Sequence, residues 1–269
     1  MRRSLTLGLV LGAAAFALPA FAQHDHHSEG EAPLWSQADE IWGAEAMEES
    51  RNAVLHHHGR HATDAIEIHR FELQSGEDED VILLDGDVWY GGDINKLVVK
   101  TEAEYSLDHN EFEEIEVQAL WSHAISPYLD VQAGIRHDFE PDGLSHAVLG
   151  LEGMLPYRFD MDGAFFLSEE GDLTAGVEVE YELMLTQRLH ILPRAELGWS
   201  AQDIPERGTG EGFTNGQLGV RLAYDVVREF APFVGVEWQG SLGETENILS
   251  AAGEDTEQTV FVIGFHAWY

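Results

Sequence analysis

The sequence contains no cysteine, and this absence excludes two kinds of stabilising or metal-binding bond. Without cysteine the chain forms neither disulfides nor metal sites with thiolate ligands. A soft or borderline metal ion would have to be bound through histidine, methionine or carboxylate side chains.

Basic residues are scarce: 14 Lys and Arg stand against 50 Asp and Glu, which gives a formal net charge of −36 at pH 7. Nucleic-acid binding needs a basic surface, so no nucleic-acid partner is expected. An acidic surface attracts cations and repels anionic surfaces. A salty habitat would favour the same composition, so charge alone does not identify the partner.

Long apolar runs are absent beyond the N-terminus. The run Leu5–Leu18 follows the basic Met1–Arg3 and precedes the small-residue site Ala20–Ala22. This pattern predicts a secretory signal peptide over residues 1–22, cleaved before Gln23. A membrane-anchoring helix is disfavoured, because the run is shorter than the ~18 apolar residues that a spanning helix needs. An exported chain of this kind would enter a membrane only as a β-barrel.

Residues 23–63 form a His-rich, acidic segment without sustained alternation, which predicts a flexible periplasmic arm with a short helix around 37–55. Seven of the 14 histidines lie in this segment: His24, His26, His27, His56, His57, His58 and His61. Imidazoles beside carboxylates suit Cu(II), Zn(II) or Ni(II), so the arm is predicted to capture metal ions. A solvated linker without a specific role is the alternative.

From residue 64 onward, apolar and polar residues alternate in about twelve long segments. In Leu173–Leu185, for example, Val177, Val179 and Tyr181 alternate with three glutamates. The segments are Asp64–Leu73, Asp80–Tyr90, Ile94–Leu107, Glu111–Ile125, Tyr128–Phe139, Leu144–Leu155, Tyr157–Leu167, Leu173–Leu185, Leu189–Ser200, Phe213–Val226, Phe233–Gly240 and Gln258–Tyr269. Period two over this length predicts an all-β fold, a transmembrane antiparallel up-and-down β-barrel over residues 64–269. Ten strands remain an alternative, because Asp64–Leu73 is the least regular segment.

The connections between these segments alternate in length, as they do in outer-membrane barrels. Short turns such as Gly91–Asp93 are assigned to the periplasmic side, and long acidic connections such as Ala201–Gly212 and Ser241–Glu257 to the outside. Aromatic residues cluster near both ends of the segments, and Trp89 and Tyr90 are assigned to the membrane-interface belt beside the short turns.

Alternation also predicts which residues face the barrel interior. Met154, Met184, His190 and His266 are all inward and near the periplasmic end, and together they could hold copper as Cu(I) or Cu(II). Independent packing of the four side chains is the simpler alternative. The predicted inward charges, read as paired structural networks, are Lys96, Lys100, Glu102, Glu104, Glu114, Glu116, Arg136, Glu152, Arg158, Asp160, Glu178, Glu180, Glu182, Arg194, Glu196, Arg221 and Glu237.

Catalytic motifs are missing: no G-x-S-x-G, H-E-x-x-H or phosphate-binding loop occurs. No enzyme activity is expected, although an outer-membrane hydrolase remains a third hypothesis beside a copper-binding barrel and a general diffusion barrel.

Several motifs resemble the copper resistance protein B family. They are WYGGDINKLVVKTEAE, PYLDVQAGIRHDFEP, LLTQRLHILPRAEL, PERGTGEG, REFAPFVGVEW and the closing AAGED…VFVIGFHAWY. The resemblance implies an outer-membrane barrel of a periplasmic copper-resistance system that binds copper, with copper ions, outer-membrane lipid and periplasmic copper-resistance proteins as partners. Family members often carry Met/His-rich repeats in the arm, whereas this arm contains only Met47, which favours imidazole ligation of Cu(II) there.

Overall fold

The computed structural model describes residues 36–58, 61–76, 79–141 and 143–269, which fall into two compact units, residues 1–59 and 60–269. The predicted signal peptide and His24, His26 and His27 lie outside the described residues. Each unit is described by itself.

The first unit contains two helices, α1 (Asp39–Trp42) and α2 (Ala44–His58). They meet at Gly43, whose φ of 88° permits the sharp change of direction. The Arg51 guanidinium donates hydrogen bonds of 2.6 and 3.2 Å to the Asp39 carboxylate, which ties the two helices together. The helix predicted around residues 37–55 is therefore present, and α2 carries His56, His57 and His58 at its end. None of the described helices has the length and apolar character needed to cross a membrane.

The second unit is a closed antiparallel barrel of twelve strands. They are β1 (Thr63–Ser75), β2 (Asp80–Gly91), β3 (Asn95–Ser106), β4 (Glu111–Ala124), β5 (Leu129–Glu140), β6 (Leu144–Leu155), β7 (Phe159–Ser168), β8 (Leu173–Tyr181, resuming at Leu183–Met184), β9 (Leu189–Ser200), β10 (Gly212–Tyr224), β11 (Phe230–Ser241) and β12 (Glu257–Trp268). Each strand pairs with its neighbours in sequence, and β12 pairs with β1 to close the barrel. The prediction of twelve strands is confirmed, and the ten-strand alternative is wrong.

The alternation in sequence becomes an apolar outer surface and a polar interior. In β3, Leu97 and Val99 are exposed on the outside, whereas Lys100 reaches ion-pair partners in the interior. Exposed apolar side chains recur at mid-strand positions around the barrel, as at Ile135 and Leu218. Such a surface is unfavourable in water and favourable in lipid.

A β-bulge interrupts β1 and explains why this strand is the least regular in sequence. In the pairing with β2, Ile68 lies opposite Gly86 and Arg70 opposite Asp85, so one residue of β1 is extra. Glu67 precedes the bulge on the inward face, and the inward positions after it shift to Arg70, Glu72 and Gln74. A bulge moves the alternation by one residue, which breaks the period that a sequence pattern relies on.

Trp89 does not lie in the membrane-interface belt, so that prediction is wrong. Its indole Nε1 donates a hydrogen bond of 3.2 Å to Glu67, and the Lys96 ammonium lies 5.3 Å from the centre of its ring. Successive residues of a strand face opposite sides, so only one of the pair Trp89 and Tyr90 can face lipid. Tyr90 is the exposed one, and Trp89 packs inside against the cluster around Leu120.

The long connection predicted over Ser241–Glu257 contains a helix, α3 (Gly243–Ala252), which the sequence pattern did not reveal. It ends at Gly253, whose φ of 86° is the left-handed conformation that commonly terminates helices. The hydroxyl of Thr245 accepts a hydrogen bond of 2.9 Å from the amide of Gly210 in the other long connection. The two longest connections therefore support each other at one end of the barrel.

Candidate metal centre in a charged barrel interior

One ion-pair network in the interior is built on Arg221 of β10. Its guanidinium donates hydrogen bonds of 2.8 and 3.0 Å to Glu72 of β1 and one of 2.9 Å to Glu237 of β11. All three side chains are almost completely buried. Since β11 and β12 lie between β10 and β1, the network joins strands that do not pair with each other.

A second network spans the interior from β3 to β6 and β7. The Lys100 ammonium lies 2.7 Å from Glu152 of β6 and also pairs with Asp162 of β7. Nearby, Arg194 pairs with Glu178 at 2.6 Å and Arg136 with Glu116 at 2.5 Å. The predicted reading of the inward charges as paired networks therefore holds for these groups.

Two histidines meet in the interior at the short-turn end of the barrel. His190 is the second residue of β9, and His266 lies two residues before the end of β12. Their ring centres are 5.9 Å apart and the ring planes differ by 24°. Asp225, which directly follows β10, is held beside β9 by a 2.8 Å hydrogen bond from its amide to the Arg188 carbonyl. Three strand ends thus converge on one small region.

The donor atoms of these side chains form a compact set. One nitrogen of each imidazole and one Asp225 oxygen all lie within 4.8 Å of one another. The Nδ1 atom of His190 is 3.8 Å from oxygens of both Asp225 and Glu182. This nitrogen is buried and has no hydrogen-bond partner among the described residues. Because buried polar atoms are nearly always satisfied, this imidazole nitrogen beside two carboxylates is available to a water molecule or a bound cation.

The structure brings together some of the four predicted lumen ligands. His190 and His266 are adjacent, and Met184 lies opposite His190 in the pairing of β8 with β9, so it shares the inward face. Met154 lies on β6 opposite Asp160, and β7 and β8 separate it from β9. Asp225 was missed, although it lies within the predicted strand Phe213–Val226 and on the inward parity of Arg221.

Two further groups of histidine and carboxylate were not predicted from the sequence. Glu67, His69 and Asp87 lie in β1 and β2, and Glu79, His109 and Glu113 lie at the opposite end of the barrel. This opposite end also holds a cavity of about 430 Å³, whose acidic lining residues are Glu79, Glu104, Glu113, Glu114, Asp255 and Glu257. Cations are therefore attracted to both ends of the interior.

The residues of the first cluster suit a particular group of metals. Two imidazoles and a carboxylate form the donor set that Cu(II) and Zn(II) prefer, and a neighbouring thioether extends the set to Cu(I). Neither alkali nor alkaline-earth cations favour imidazole ligands. The geometry therefore fits a transition-metal ion held by His190, His266 and Asp225.

The apolar exterior and charged interior define the class of protein: a transmembrane-type, closed up-and-down β-barrel with histidine and carboxylate side chains clustered inside. Residues 62–269 match the family described as Copper resistance protein B precursor (CopB). The chain is 32% identical over 277 residues to the Copper resistance protein B homolog of Pseudomonas syringae pv. tomato (strain ATCC BAA-871 / DC3000), covering 98% of this chain and 94% of the relative. It is 38% identical over 182 residues to Copper resistance protein B of Escherichia coli, covering 67% and 61%. The chain belongs to the copper resistance protein B family, as the sequence motifs predicted.

Solved barrels show a looser likeness. The NanC porin aligns with a TM-score of 0.49 and 9% identity over 76% of this chain and 99% of its own. The KdgM porin aligns with a TM-score of 0.46 and 11% sequence identity, covering 76% of this chain and 98% of the porin. Outer membrane phospholipase A from Escherichia coli aligns with a TM-score of 0.45 and 11% sequence identity, covering 77% of this chain and 92% of the phospholipase. None of the three informs the chemistry of the interior.

Proposed function

We propose that the protein is an outer-membrane copper-binding barrel, which sequesters copper or passes it across the outer membrane in a copper-resistance system. The observation that carries this proposal is the buried, unpartnered Nδ1 of His190 beside His266 and Asp225. Membership of the copper resistance protein B family selects copper among the metals that this donor set accepts.

The outer surface of the barrel supports the membrane location. Apolar side chains are exposed along the strands. Because β12 pairs with β1, the backbone N–H and C=O groups of both strands are hydrogen-bonded within the barrel, as lipid requires. In bacterial barrels the short turns face the periplasm. We therefore infer that the arm, which enters β1 at the short-turn end, lies in the periplasm, where it would collect ions or exchange them with periplasmic copper-resistance proteins.

Copper would meet several kinds of ligand in this protein. In the barrel, His190, His266 and Asp225 provide nitrogen and oxygen donors for Cu(II), and Met184 provides a thioether for Cu(I). We retain Met154 as a weaker candidate on the same inward face. In the arm, the proposed ligands are His24, His26, His27, His56, His57, His58 and His61.

Substitution of both lumen histidines tests the central proposal. Cu(II) titration of the purified full chain, in competition with a chelator of known affinity, should show that His190→Ala/His266→Ala loses one tight equivalent. Loss of an outer-shell partner alone weakens metal sites by about 10–100-fold, so loss of two ligands should exceed that range. His123→Ala is the matched control, because this half-buried histidine bonds to Asn95 and stacks on Trp121, away from the cluster of His190, His266 and Asp225. Tight binding that survives the double substitution would contradict the lumen site.

Deletion of residues 23–63 separates the arm from the barrel. We expect it to remove weaker copper equivalents and to leave the tight one, because His190, His266 and Asp225 all lie outside the deleted residues. Loss of the tight equivalent on deletion would place the principal site in the arm. Unchanged stoichiometry would instead assign all copper to the barrel.

A general diffusion barrel without metal specificity is the alternative function. The ion pairs of Lys100 and Arg221 place fixed charges from several strands inside the barrel, which disfavours unselective passage of neutral solutes. In liposomes we expect copper uptake without faster entry of small neutral sugars than in protein-free vesicles. Equal acceleration of sugars and copper would favour the diffusion barrel.

A further inference from the structure

A second group of metal-ligating side chains lies on the interior wall where β1 pairs with β2. The Nε2 atom of His69 is 2.6 Å from the Asp87 carboxylate, and Glu67 lies directly opposite Asp87. One donor atom from each of the three residues falls within 4.8 Å of the others. The Trp89 Nε1 hydrogen bond to Glu67 fixes the orientation of that carboxylate. One of the three ligands is therefore oriented by a neighbour that is not itself a ligand.

The β-bulge brings this group next to the first cluster. In the pairing of β1 with β12, Ile68 lies opposite Ala267 and Phe71 opposite Phe265, so His69 and Arg70 together face His266. Arg70 points inward to Asp85, and His69 points inward to Asp87. Two successive residues of a regular strand cannot both face the interior, and the bulge removes that restriction.

We infer that Glu67, His69 and Asp87 form a second divalent metal site, adjacent to the site of His190, His266 and Asp225. The inference rests on the proposed function in taking copper as the ion. One imidazole with two carboxylates is a harder donor set than two imidazoles with one, so the second site should hold Cu(II) more weakly. His266 lies between the two groups, so an ion bound at His69 is one strand away from the tighter site. The barrel wall thus carries two candidate sites on neighbouring strands.

A simple hydrogen-bonded pair of His69 and Asp87 is the competing explanation, and conservative amides distinguish the two. In Asp87→Asn the amide oxygen still accepts a hydrogen bond from the imidazole, and in Glu67→Gln the side-chain oxygen still accepts one from Trp89. Both substitutions retain shape and hydrogen bonding but remove the negative charge that a metal ligand supplies. The double variant should therefore fold normally and lose only metal binding.

The test is Cu(II) titration of the purified full chain, with bound copper also counted by elemental analysis. We expect Glu67→Gln/Asp87→Asn to bind one equivalent fewer than the unsubstituted protein, with the tight equivalent retained. The matched control is Asp160→Asn/Glu180→Gln, a cross-strand pair of interior carboxylates that has no histidine in its group. This control should bind as many equivalents as the unsubstituted protein.

The outcomes separate this site from the first one. Combining Glu67→Gln/Asp87→Asn with His190→Ala/His266→Ala should remove two equivalents. Unchanged copper binding in Glu67→Gln/Asp87→Asn would overturn the second site and leave the first one standing. If instead His190→Ala/His266→Ala binds normally while the amide variant loses one ion, the first site fails and the second is supported. If Asp160→Asn/Glu180→Gln loses as much copper as Glu67→Gln/Asp87→Asn, the loss reflects only the lower negative charge of the interior. That result would overturn the inference.

Discussion

Replacing Arg221 by methionine should destabilise the barrel more than any other single substitution of an interior charge. The guanidinium neutralises Glu72 and Glu237, which are each about 1% exposed. Methionine has a similar length but no charge, so Glu72 would lose its paired guanidinium and Glu237 would keep only the longer 3.6 Å contact with Arg194 among the ion pairs of the described residues. Removing one partner of a buried ion pair typically costs about 3–5 kcal/mol. The free energy of unfolding, measured by guanidinium denaturation in detergent with tryptophan fluorescence, should fall by about that amount.

Two variants make this prediction specific. Arg158→Met removes an exposed arginine, and surface substitutions usually change stability by no more than about 0.5 kcal/mol. Arg221→Met combined with Glu72→Gln and Glu237→Gln removes the uncompensated charges and should recover most of the loss, because a buried ion network can often be replaced at little cost. Equal stability of Arg221→Met and Arg158→Met would show that the network contributes nothing to the fold.

The strands could be predicted from the sequence because their signal is local. Alternation of period two needs only neighbouring residues, and β6 and β9 have the bounds that it predicts, Leu144–Leu155 and Leu189–Ser200. The bulge at His69 could not be predicted, because one inserted residue has no composition of its own and shifts the parity of all that follows. For this reason Arg70 and Glu72, two central members of the interior networks, were missing from the predicted inward set.

Prediction of the candidate site was limited both by the residue types considered and by pairing register. His190 and His266 could be identified because parity places each one inside independently. Asp225 has the same parity signal, but a search confined to histidine and methionine overlooks a carboxylate. The group of Glu67, His69 and Asp87 exists only through the register of β1 with its neighbours, which is a long-range property. Helix α3 could not be predicted for a different reason: its ten-residue acidic segment has little apolar periodicity.

Replacing Leu149 by arginine should prevent stable insertion of the barrel into a membrane. Leu149 lies at the middle of β6, opposite Ala133 and Phe165, and its side chain is 58% exposed on the outer surface. If this surface contacts lipid, the guanidinium would lie near the bilayer midplane, where arginine on a barrel costs about 2–4 kcal/mol. The inserted fraction after refolding into vesicles, measured by protease protection, should fall sharply relative to the unsubstituted protein.

Depth dependence distinguishes lipid contact from a general effect of the substitution. Ser126→Arg places the same guanidinium in a short turn, beyond the strand ends, where the cost near an interface falls to about 0–1 kcal/mol. Leu149→Ile keeps the position apolar and should insert normally. Equal insertion of Leu149→Arg and Ser126→Arg would mean that the outer surface at mid-strand does not meet hydrocarbon. A lower inserted fraction for Leu149→Arg than for Ser126→Arg would place the bilayer midplane near the middle of β6. The cluster of His190, His266 and Asp225 would then lie near the membrane interface at the short-turn end of the barrel.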